Sequence, residues 1–168
     1  KDYKKMITMD LKKIGNLILV IGKTEGHIDQ SLFARIILDE KNGPPPEINL
    51  FNEKNNGETL LKLIDNNLIK SAHDISLGGI ITAVSKMCIK GNKGIDLKKP
   101  KYLIGEIEYL FAEDQGRYIV EIDKKDQKKV SEILNKNAVH YDELGTINEN
   151  MLFLNEKTKV TIDELKGF

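Results

Sequence analysis

Residues 71–80, Ser-Ala-His-Asp-Ile-Ser-Leu-Gly-Gly-Ile, carry the side-chain types and spacing best suited to chemistry in this sequence. A strand is predicted to end here and a helix to begin, and the first N–H groups of a helix attract anions. Gly78 and Gly79 lack the Cβ atoms that would keep a phosphate from the backbone, and Ser76 can cap the helix or donate its hydroxyl. The segment is therefore typical of a phosphate-binding turn.

The same pattern has a second interpretation, because a serine and two glycines before a helix also make an ordinary tight connection. The pattern alone favours that ordinary connection. His73 and Asp74 are less usual, since polar residues on a strand need partners if they are buried. They form either a satisfied structural pair or one wall of a cleft at the carboxyl end of the strand, where open α/β sheets bind ligands. The residues by themselves leave these alternatives open.

Arginine occurs twice in the sequence, at Arg35 and Arg117, whereas lysine is common. The planar guanidinium fork cannot be copied by lysine. Arg117 is expected either to pair with Glu113 or a ligand anion, or to form a structural salt bridge that holds its loop to a strand, and we favour the structural role. His27 and His140 have no partners at metal-ligand spacing, so no metal site is expected.

Bulk composition excludes several functional classes. Lys plus Arg is 26 and Asp plus Glu is 26, so the chain lacks the basic excess of a nucleic-acid binder. The single cysteine, Cys88, excludes an intramolecular disulfide, is expected to pack in the core, and favours a reducing, cytoplasmic compartment. No stretch has the roughly 20 apolar residues of a membrane span. The sequence begins at Lys1 rather than methionine, so we expect a piece of a longer chain.

The hydrophobic pattern predicts one α/β domain over residues 1–168, a mixed-sheet sandwich with helices packed on the sheet. Helical spacing of apolar residues is clearest over 80–90, whereas the asparagine-rich residues 49–57 argue against a helix there. Glu106 and Glu108 would point the same way if their stretch were extended, and without a partner acid or base nearby they are interpreted as solvated charge. The predicted strands are 17–21, 71–75, 94–97, 117–122, 141–147 and 151–154. The predicted helices are 32–38, 49–67, 80–90 and 124–137. Asp123 is predicted to cap the last of these, and a further short helix is predicted to start at a capping box formed by Thr161 and Glu164.

Four ordered segments resemble the large subunit of phosphoribosylformylglycinamidine synthase. Residues 71–80 resemble its His-Asp-Val-Ser-Asp-Gly-Gly-Leu signature, and residues 26–32, Gly-His-Ile-Asp-Gln-Ser-Leu, resemble its Gly-His-Leu-Gly-Gln-Ser-Leu segment. Residues 43–46 match its proline break, and residues 110–118, Leu-Phe-Ala-Glu-Asp-Gln-Gly-Arg-Tyr, match a further motif. The resemblance runs from about Met6 to the end. It identifies the chain as similar to the C-terminal domain of the aminoimidazole ribonucleotide synthetase superfamily.

The resemblance implies a substrate-binding part of an ATP-dependent ligase of purine biosynthesis. Enzymes of this family convert formylglycinamide ribonucleotide to the amidine with ammonia made from glutamine. The resemblance further implies that the catalytic residues and most ligands of ATP and Mg²⁺ lie in an N-terminal domain outside this chain. The isolated fragment is therefore expected to be inactive. The implied partners are that domain, a glutaminase and a small subunit.

The family motifs also imply which residues bind the substrate. They are Ser76, Gly78 and Gly79 at the turn, with His73 and Asp74 shaping it, and Gln30, Ser31, Glu113 and Arg117 as secondary candidates. Two positions depart from the family pattern. Leu77 replaces an acidic residue, which removes repulsion beside a phosphate, and Asp29 replaces a glycine, which puts in doubt a close anion approach at the second helix start.

Two alternatives compete with the synthase interpretation. The chain could be a non-catalytic dimerisation or scaffold domain of the same fold. It could also belong to a sister ligase of the superfamily that makes aminoimidazole ribonucleotide or selenophosphate. The segments at 26–31 and 111–117 favour the formylglycinamidine branch, and that preference comes from the resemblance alone.

Overall fold

The computed structural model describes residues 5–100, 102–154 and 158–167, so the charged start of the chain, Lys1 to Lys4, lies outside the described residues. The described strands and helices follow the order that the hydrophobic pattern predicts, with one additional helix and one additional strand. The strands are β1 (Leu17–Ile21), β2 (Ile69–Asp74), β3 (Gly94–Leu97), β4 (Tyr118–Ile122), β5 (Tyr141–Asn148), β6 (Met151–Phe153) and β7 (Lys159–Thr161). The helices are α1 (Leu32–Ile36), α2 (Leu50–Asp65), α3 (Gly79–Gly91), α4 (Glu106–Phe111), α5 (Gln127–Lys136) and α6 (Ile162–Lys166).

The seven described strands form one mixed sheet in the order β2-β4-β1-β5-β3-β6-β7. β1 is antiparallel to both β4 and β5, and β2 is antiparallel to β4 at one edge. β3 is antiparallel to β5 but parallel to β6, which makes the sheet mixed. The predicted mixed-sheet fold is therefore confirmed. The turn that follows β5 does not form a hairpin, because β3 lies between β5 and β6.

Helices cover both faces of the sheet, and each face has its own apolar core. Alternate residues of β1 point to opposite faces, as expected for a strand buried on both sides: Leu19 packs with α2 and α5, whereas Val20 packs with α3 and α4. The first core includes Leu63 of α2, and the second includes Met87 of α3. The long α3 is thereby fixed against the sheet, and its first residue lies at the carboxyl end of β2.

A buried carboxylate joins the N-terminal segment to the middle of the sheet. Glu121 of β4 is fully buried and accepts hydrogen bonds from the backbone N–H groups of Lys12 (2.8 Å) and Lys13 (3.0 Å). The Asn16 side-chain amide (2.7 Å) and the Ser71 hydroxyl (3.0 Å) donate the remaining two bonds. Four donors thus compensate a charge that would be costly to bury alone.

Several element predictions were wrong in detail. Residues 106–111 form the helix α4 rather than an extended stretch, so Glu106 and Glu108 lie in its first turn. By contrast, the helix predicted over 49–67 is present, and its first half is helical despite Gly57. Asn49 caps it, and the Asn56 side-chain amide donates to the Gly116 carbonyl oxygen. β7 was not predicted. Most of the other predicted elements begin or end one to three residues from the predicted bounds, since tertiary packing decides where helices and strands end.

Asp123 does not cap a helix through its side chain. A short 3₁₀ turn, Lys124–Asp126, precedes α5, and Asp123 at its start makes no capping hydrogen bond. Its carboxylate instead forms an ion pair with Lys70 at 3.2 Å. The predicted capping box at Thr161 and Glu164 is present. Among the described residues, no helix combines the length and apolarity required to cross a membrane.

Candidate functional site: the turn between β2 and α3

The predicted glycine turn lies at the carboxyl end of β2, where α3 begins. Gly78 and Gly79 have φ angles of 81° and 69°, in the left-handed region that favours glycine. A Cβ on Gly79 would lie 2.7 Å from the carbonyl oxygens of both Ala112 and Leu110. The turn therefore packs directly against the backbone after α4, and glycine is required there for close approach.

Two amides of this turn are already bonded to protein groups. The Gly78 N–H donates to Glu113 Oε1 at 2.8 Å, and the Gly79 N–H donates to the Ser76 carbonyl oxygen at 3.1 Å. The expectation that both amides are bare is therefore wrong for this state of the chain. Within the described residues, the Ser76 hydroxyl and the N–H groups of Ser76 and Leu77 have no hydrogen-bond partner. These three donors are the ones a ligand could use.

Glu113 joins the turn to a second helix start. The same Oε1 atom that accepts from Gly78 also accepts from the Leu32 N–H at 2.8 Å, at the beginning of α1. One carboxylate thus holds two segments that are 46 residues apart in sequence, residue 78 and residue 32. It occupies the position that the sequence assigned to a ligand anion, so a phosphate could use the Gly78 amide only if this side chain moved.

A hollow of about 230 Å³ adjoins the turn. Ser76 and Leu77 form one wall, and the carboxylates of Glu53, Asp74 and Glu113 line the rest together with Tyr118 and the backbone of the 115–117 loop. Three carboxylates make the hollow electronegative, which by itself opposes phosphate. Arg117, the one cation of the lining, is engaged with other protein groups, so an anion here needs positive charge from outside this lining.

His73 and Asp74 form a local pair and also lie at the edge of the hollow, so features of both sequence interpretations, the structural pair and the cleft wall, are present. His73 Nδ1 lies 3.1 Å from Asp74 Oδ1, which makes a local pair. The His73 side chain is mostly buried, and its Nε2 atom has no hydrogen-bond partner. Asp74 is 65% exposed and lines the hollow. The pair therefore lies at the mouth of the candidate site, with the carboxylate facing solvent.

Arg117 makes the structural contacts that the favoured sequence interpretation predicts, and it does not pair with Glu113. Its guanidinium is 1% exposed and donates to the carbonyl oxygens of Asp114 (3.1 Å) and Ala112 (2.7 Å) and to Thr24 Oγ1 (2.9 Å). The ion pair is with the Asp114 carboxylate at 3.8 Å, not with Glu113. Burial lowers the pKa of the guanidinium, and Asp114 opposes that shift.

Asp114 is the residue that sequence analysis missed. Its Oδ2 accepts from the N–H groups of Glu25 (3.0 Å) and Gly26 (3.1 Å), and its Oδ1 accepts from the His27 N–H (3.1 Å). Asp114 and Glu113 thus connect the loop before β4 to the segment that follows β1, Asp114 through residues 25–27 and Glu113 through Leu32. The only signal in the sequence was the adjacent pair of acidic residues between a helix and a strand, which is too common to be specific.

Gln30 and Ser31 do not line the hollow. Ser31 is buried and its hydroxyl caps α1 by accepting from the Ala34 N–H at 3.1 Å. Gln30 has a φ of 63° and donates to the carbonyl oxygens of Lys41 (2.8 Å) and Gly43 (3.1 Å). Both residues therefore hold the start of α1 and the proline loop in place, and the link from α1 to the turn is made by the next residue, Leu32, whose N–H donates to Glu113.

A larger cleft of about 610 Å³ continues from the hollow, sharing Glu53 and Gln115 with it. Its other walls carry polar groups from the loop after β1 and the start of α2, including Lys23, His27 and Asn52. In the described residues, no three or more His, Cys, Asp or Glu side chains are placed to hold a metal ion.

The chain has close relatives among known proteins. It is 70% identical over 165 residues to phosphoribosylformylglycinamidine synthase subunit PurL of Pelagibacter ubique, covering 98% of this chain and 23% of that protein. It is 35% identical to the PurL subunit of Bartonella henselae, covering 98% of this chain and 22% of that protein. The chain thus spans about a quarter of the length of the curated relatives that it matches.

Solved structures with low sequence identity share the fold. A Thermotoga maritima PurL complexed with FGAR superposes with a TM-score of 0.79 at 20% identity, over 97% of this chain and 30% of that one. At this identity the likeness establishes the fold alone. The family model described as AIR synthase related protein, C-terminal domain, matches residues 13–153. Because that match spans most of the chain, the chain belongs to the AIR synthase related, C-terminal domain family.

Proposed function

We propose that this chain is one domain of an ATP- and glutamine-dependent phosphoribosylformylglycinamidine synthase, which converts formylglycinamide ribonucleotide to the amidine in the cytoplasm. The observation that carries the proposal is the 70% identity to a synthase subunit over 98% of the chain. Solved Thermotoga maritima PurL structures are complexed with FGAR and with ATP, and one is a PurLQS assembly. The proposed partners are therefore the remainder of the polypeptide, a glutaminase and a small subunit.

The turn between β2 and α3 is proposed to bind the substrate. Ser76 supplies a hydroxyl and a free N–H, and Leu77 supplies a second free N–H, all at the wall of the hollow. Gly78 and Gly79 give the turn its left-handed path. Gly78 keeps its N–H on Glu113, so the carboxylate positions the turn rather than contacting a phosphate.

Charge decides how a phosphate ester could be held here. The carboxylates of Glu53, Asp74 and Glu113 repel a dianion, so this domain contributes hydrogen-bond donors, and the compensating positive charge comes from other parts of the enzyme. His73 is proposed to hold Asp74 at the mouth of the hollow. Gln30, Ser31 and Arg117 act on the site only by fixing the loops that carry it.

The test uses the complete enzyme with its glutaminase and small subunits. Ser76→Ala should raise KM for formylglycinamide ribonucleotide about tenfold or more, because a hydrogen bond to a charged group contributes about 1.5–3 kcal/mol. Ser131→Ala is the matched control, since its hydroxyl bonds only to the Lys128 carbonyl oxygen on the exposed face of α5. That variant should behave as wild type.

The two parts of the proposal fail in different ways. If the wild-type complex forms no amidine from glutamine, ATP and the ribonucleotide, the assigned activity is wrong. If the complex is active but Ser76→Ala leaves KM within twofold of wild type, the activity stands and the substrate role of the turn is wrong. The scaffold and sister-ligase alternatives have no supporting observation in the described residues or among the relatives.

A further inference from the structure

Six large apolar side chains lie exposed around the proline loop that joins α1 to α2. Twelve large hydrophobic residues are exposed in the described chain, and six of them fall within residues 36–51. These six, named here the apolar patch, are Ile36, Ile37, Leu38, Ile48, Leu50 and Phe51. Their exposed fractions run from 48% to 76%, so about half or more of each residue is accessible to water. Soluble domains rarely expose such a concentration of apolar residues unless it binds something.

The apolar patch is held in place by specific contacts. Gln30 donates to the carbonyl oxygens of Lys41 and Gly43, and His27 Nε2 donates to the Pro44 carbonyl oxygen at 2.9 Å. Asn49 caps α2 by accepting from its third residue at 3.0 Å. The loop is therefore tied to the body at several points, and the exposure of its flanks is part of the fold.

The orientation of α1 is what leaves the patch uncovered. This five-residue helix buries Ala34, and the Phe33 ring packs against the Phe111 ring with centroids 4.8 Å apart. Ile36 and Ile37 then project outward, 71% and 66% exposed. A helix that turns isoleucines to water requires a covering surface for those side chains.

We propose that the apolar patch is the docking surface for another domain of the same polypeptide, which covers it with an apolar face. The match to the Pelagibacter ubique relative covers 23% of that protein, so about three quarters of its length lies beyond the matched region. A domain tethered to this one is present at a high effective concentration. Charges of both signs, such as Arg35 and Glu40, border the patch, which favours an apolar protein face over a strongly charged ligand.

The test is hydroxyl-radical footprinting of the full-length polypeptide, read by mass spectrometry. Leu50 in the apolar patch is compared with Leu103, which is fully exposed and outside it, so the two residue types match. Ile36 and Ile107 give a second matched pair. The buried centre of a protein interface excludes water. Leu50 should therefore be oxidised about fivefold more slowly than Leu103, and Ile36 about fivefold more slowly than Ile107, at all protein concentrations.

Each other outcome overturns the proposal. Oxidation of Leu50 at the rate of Leu103 would mean that nothing covers the patch. Shielding that appears only at concentrations where the polypeptide dimerises would identify a second copy as the occupant. Equal shielding of Leu103 and Ile107 would show that the covered surface lies elsewhere or is not specific to the patch.

A pair of variants in the full-length polypeptide separates docking from folding. Ile37→Asp places a charge in the patch and should raise the oxidation rate of Leu50 several-fold, because an unpaired charge opposes burial at an interface. Leu103→Asp should leave that rate unchanged. A Leu50 rate that is insensitive to Ile37→Asp, in a polypeptide that still folds, would also overturn the proposal.

Discussion

Replacing Arg117 with lysine keeps the positive charge but removes the guanidinium fork. This change tests whether the hydrogen bonds of the guanidinium hold the loop before β4 in place. The fork joins three acceptors at once: the carbonyl oxygens of Ala112 and Asp114, and Thr24 Oγ1. A lysine ammonium is a single nitrogen on a flexible stem, and it cannot reach three acceptors in these directions. Arg117→Lys should therefore leave two of the three acceptors unpaired at a position where both Arg117 and Thr24 are buried.

The magnitude follows from those two lost bonds. A hydrogen bond to a charged group contributes about 1.5–3 kcal/mol, so Arg117→Lys should lower the free energy of unfolding by about 3 kcal/mol or more. For a chain of this size, about 1 kcal/mol corresponds to 2–4 °C. The expected fall in Tm is therefore about 6–12 °C.

The assay is urea unfolding of the chain, followed by far-ultraviolet circular dichroism. Arg35→Lys is the internal control, because Arg35 is exposed and makes one side-chain hydrogen bond, to Gln30 Oε1 at 2.8 Å. Exposed substitutions of this kind usually change the free energy of unfolding by less than about 0.5 kcal/mol. If the two variants differ by less than about 1 kcal/mol, the inference that Arg117 organises the loop is refuted.

Three further outcomes are expected from the packing. Gly79→Ala should lower the free energy of unfolding by about 2 kcal/mol or more, because its Cβ would meet two carbonyl oxygens at 2.7 Å. Gly57→Ala in α2 should instead raise it by up to about 1 kcal/mol, because the added Cβ would meet only the Tyr118 hydroxyl, at a van der Waals distance of 3.4 Å. Thermal unfolding of the two variants should therefore move Tm in opposite directions. Glu121→Gln should lower the free energy of unfolding, measured in urea, by about 2–4 kcal/mol, because one amide oxygen cannot accept the four hydrogen bonds that the carboxylate accepts. A decrease below about 1 kcal/mol would contradict this role of Glu121. Burial raises the pKa of the Cys88 thiol to about 12, so iodoacetamide at pH 8 should label this residue only after the chain unfolds. Equal labelling rates in native and unfolded chains would show instead that the thiol is accessible.

The electrostatics of the hollow change what the glycine turn can do. The sequence predicted that the backbone N–H groups of Gly78 and Gly79 would be free to bind a phosphate. The Gly78 N–H instead donates to Glu113, and two more carboxylates, of Glu53 and Asp74, line the same hollow. The departure at Leu77 removes one further negative charge from this wall. We therefore propose that the turn contributes hydrogen-bond donors to the substrate and that the compensating positive charge comes from other parts of the enzyme.

The sequence by itself determined the elements and the position of the turn. The apolar run of β1, the helical spacing of α3 and the two glycines between β2 and α3 are local patterns, and local patterns fix periodicity and backbone path. The capping box at Thr161 is equally local and is present. The α4 helix was missed because its six residues are too few to show a helical period.

Only the tertiary structure decided which groups meet at the site. Glu113 contacts Gly78 and Leu32, and Asp114 contacts residues 25–27, across separations of 35 to 89 residues. Such pairings depend on where the sheet places each loop, and nothing in a single sequence encodes that distance. The same holds for the exposure of the apolar patch, because an isoleucine is buried or exposed according to what packs against it, not according to its type.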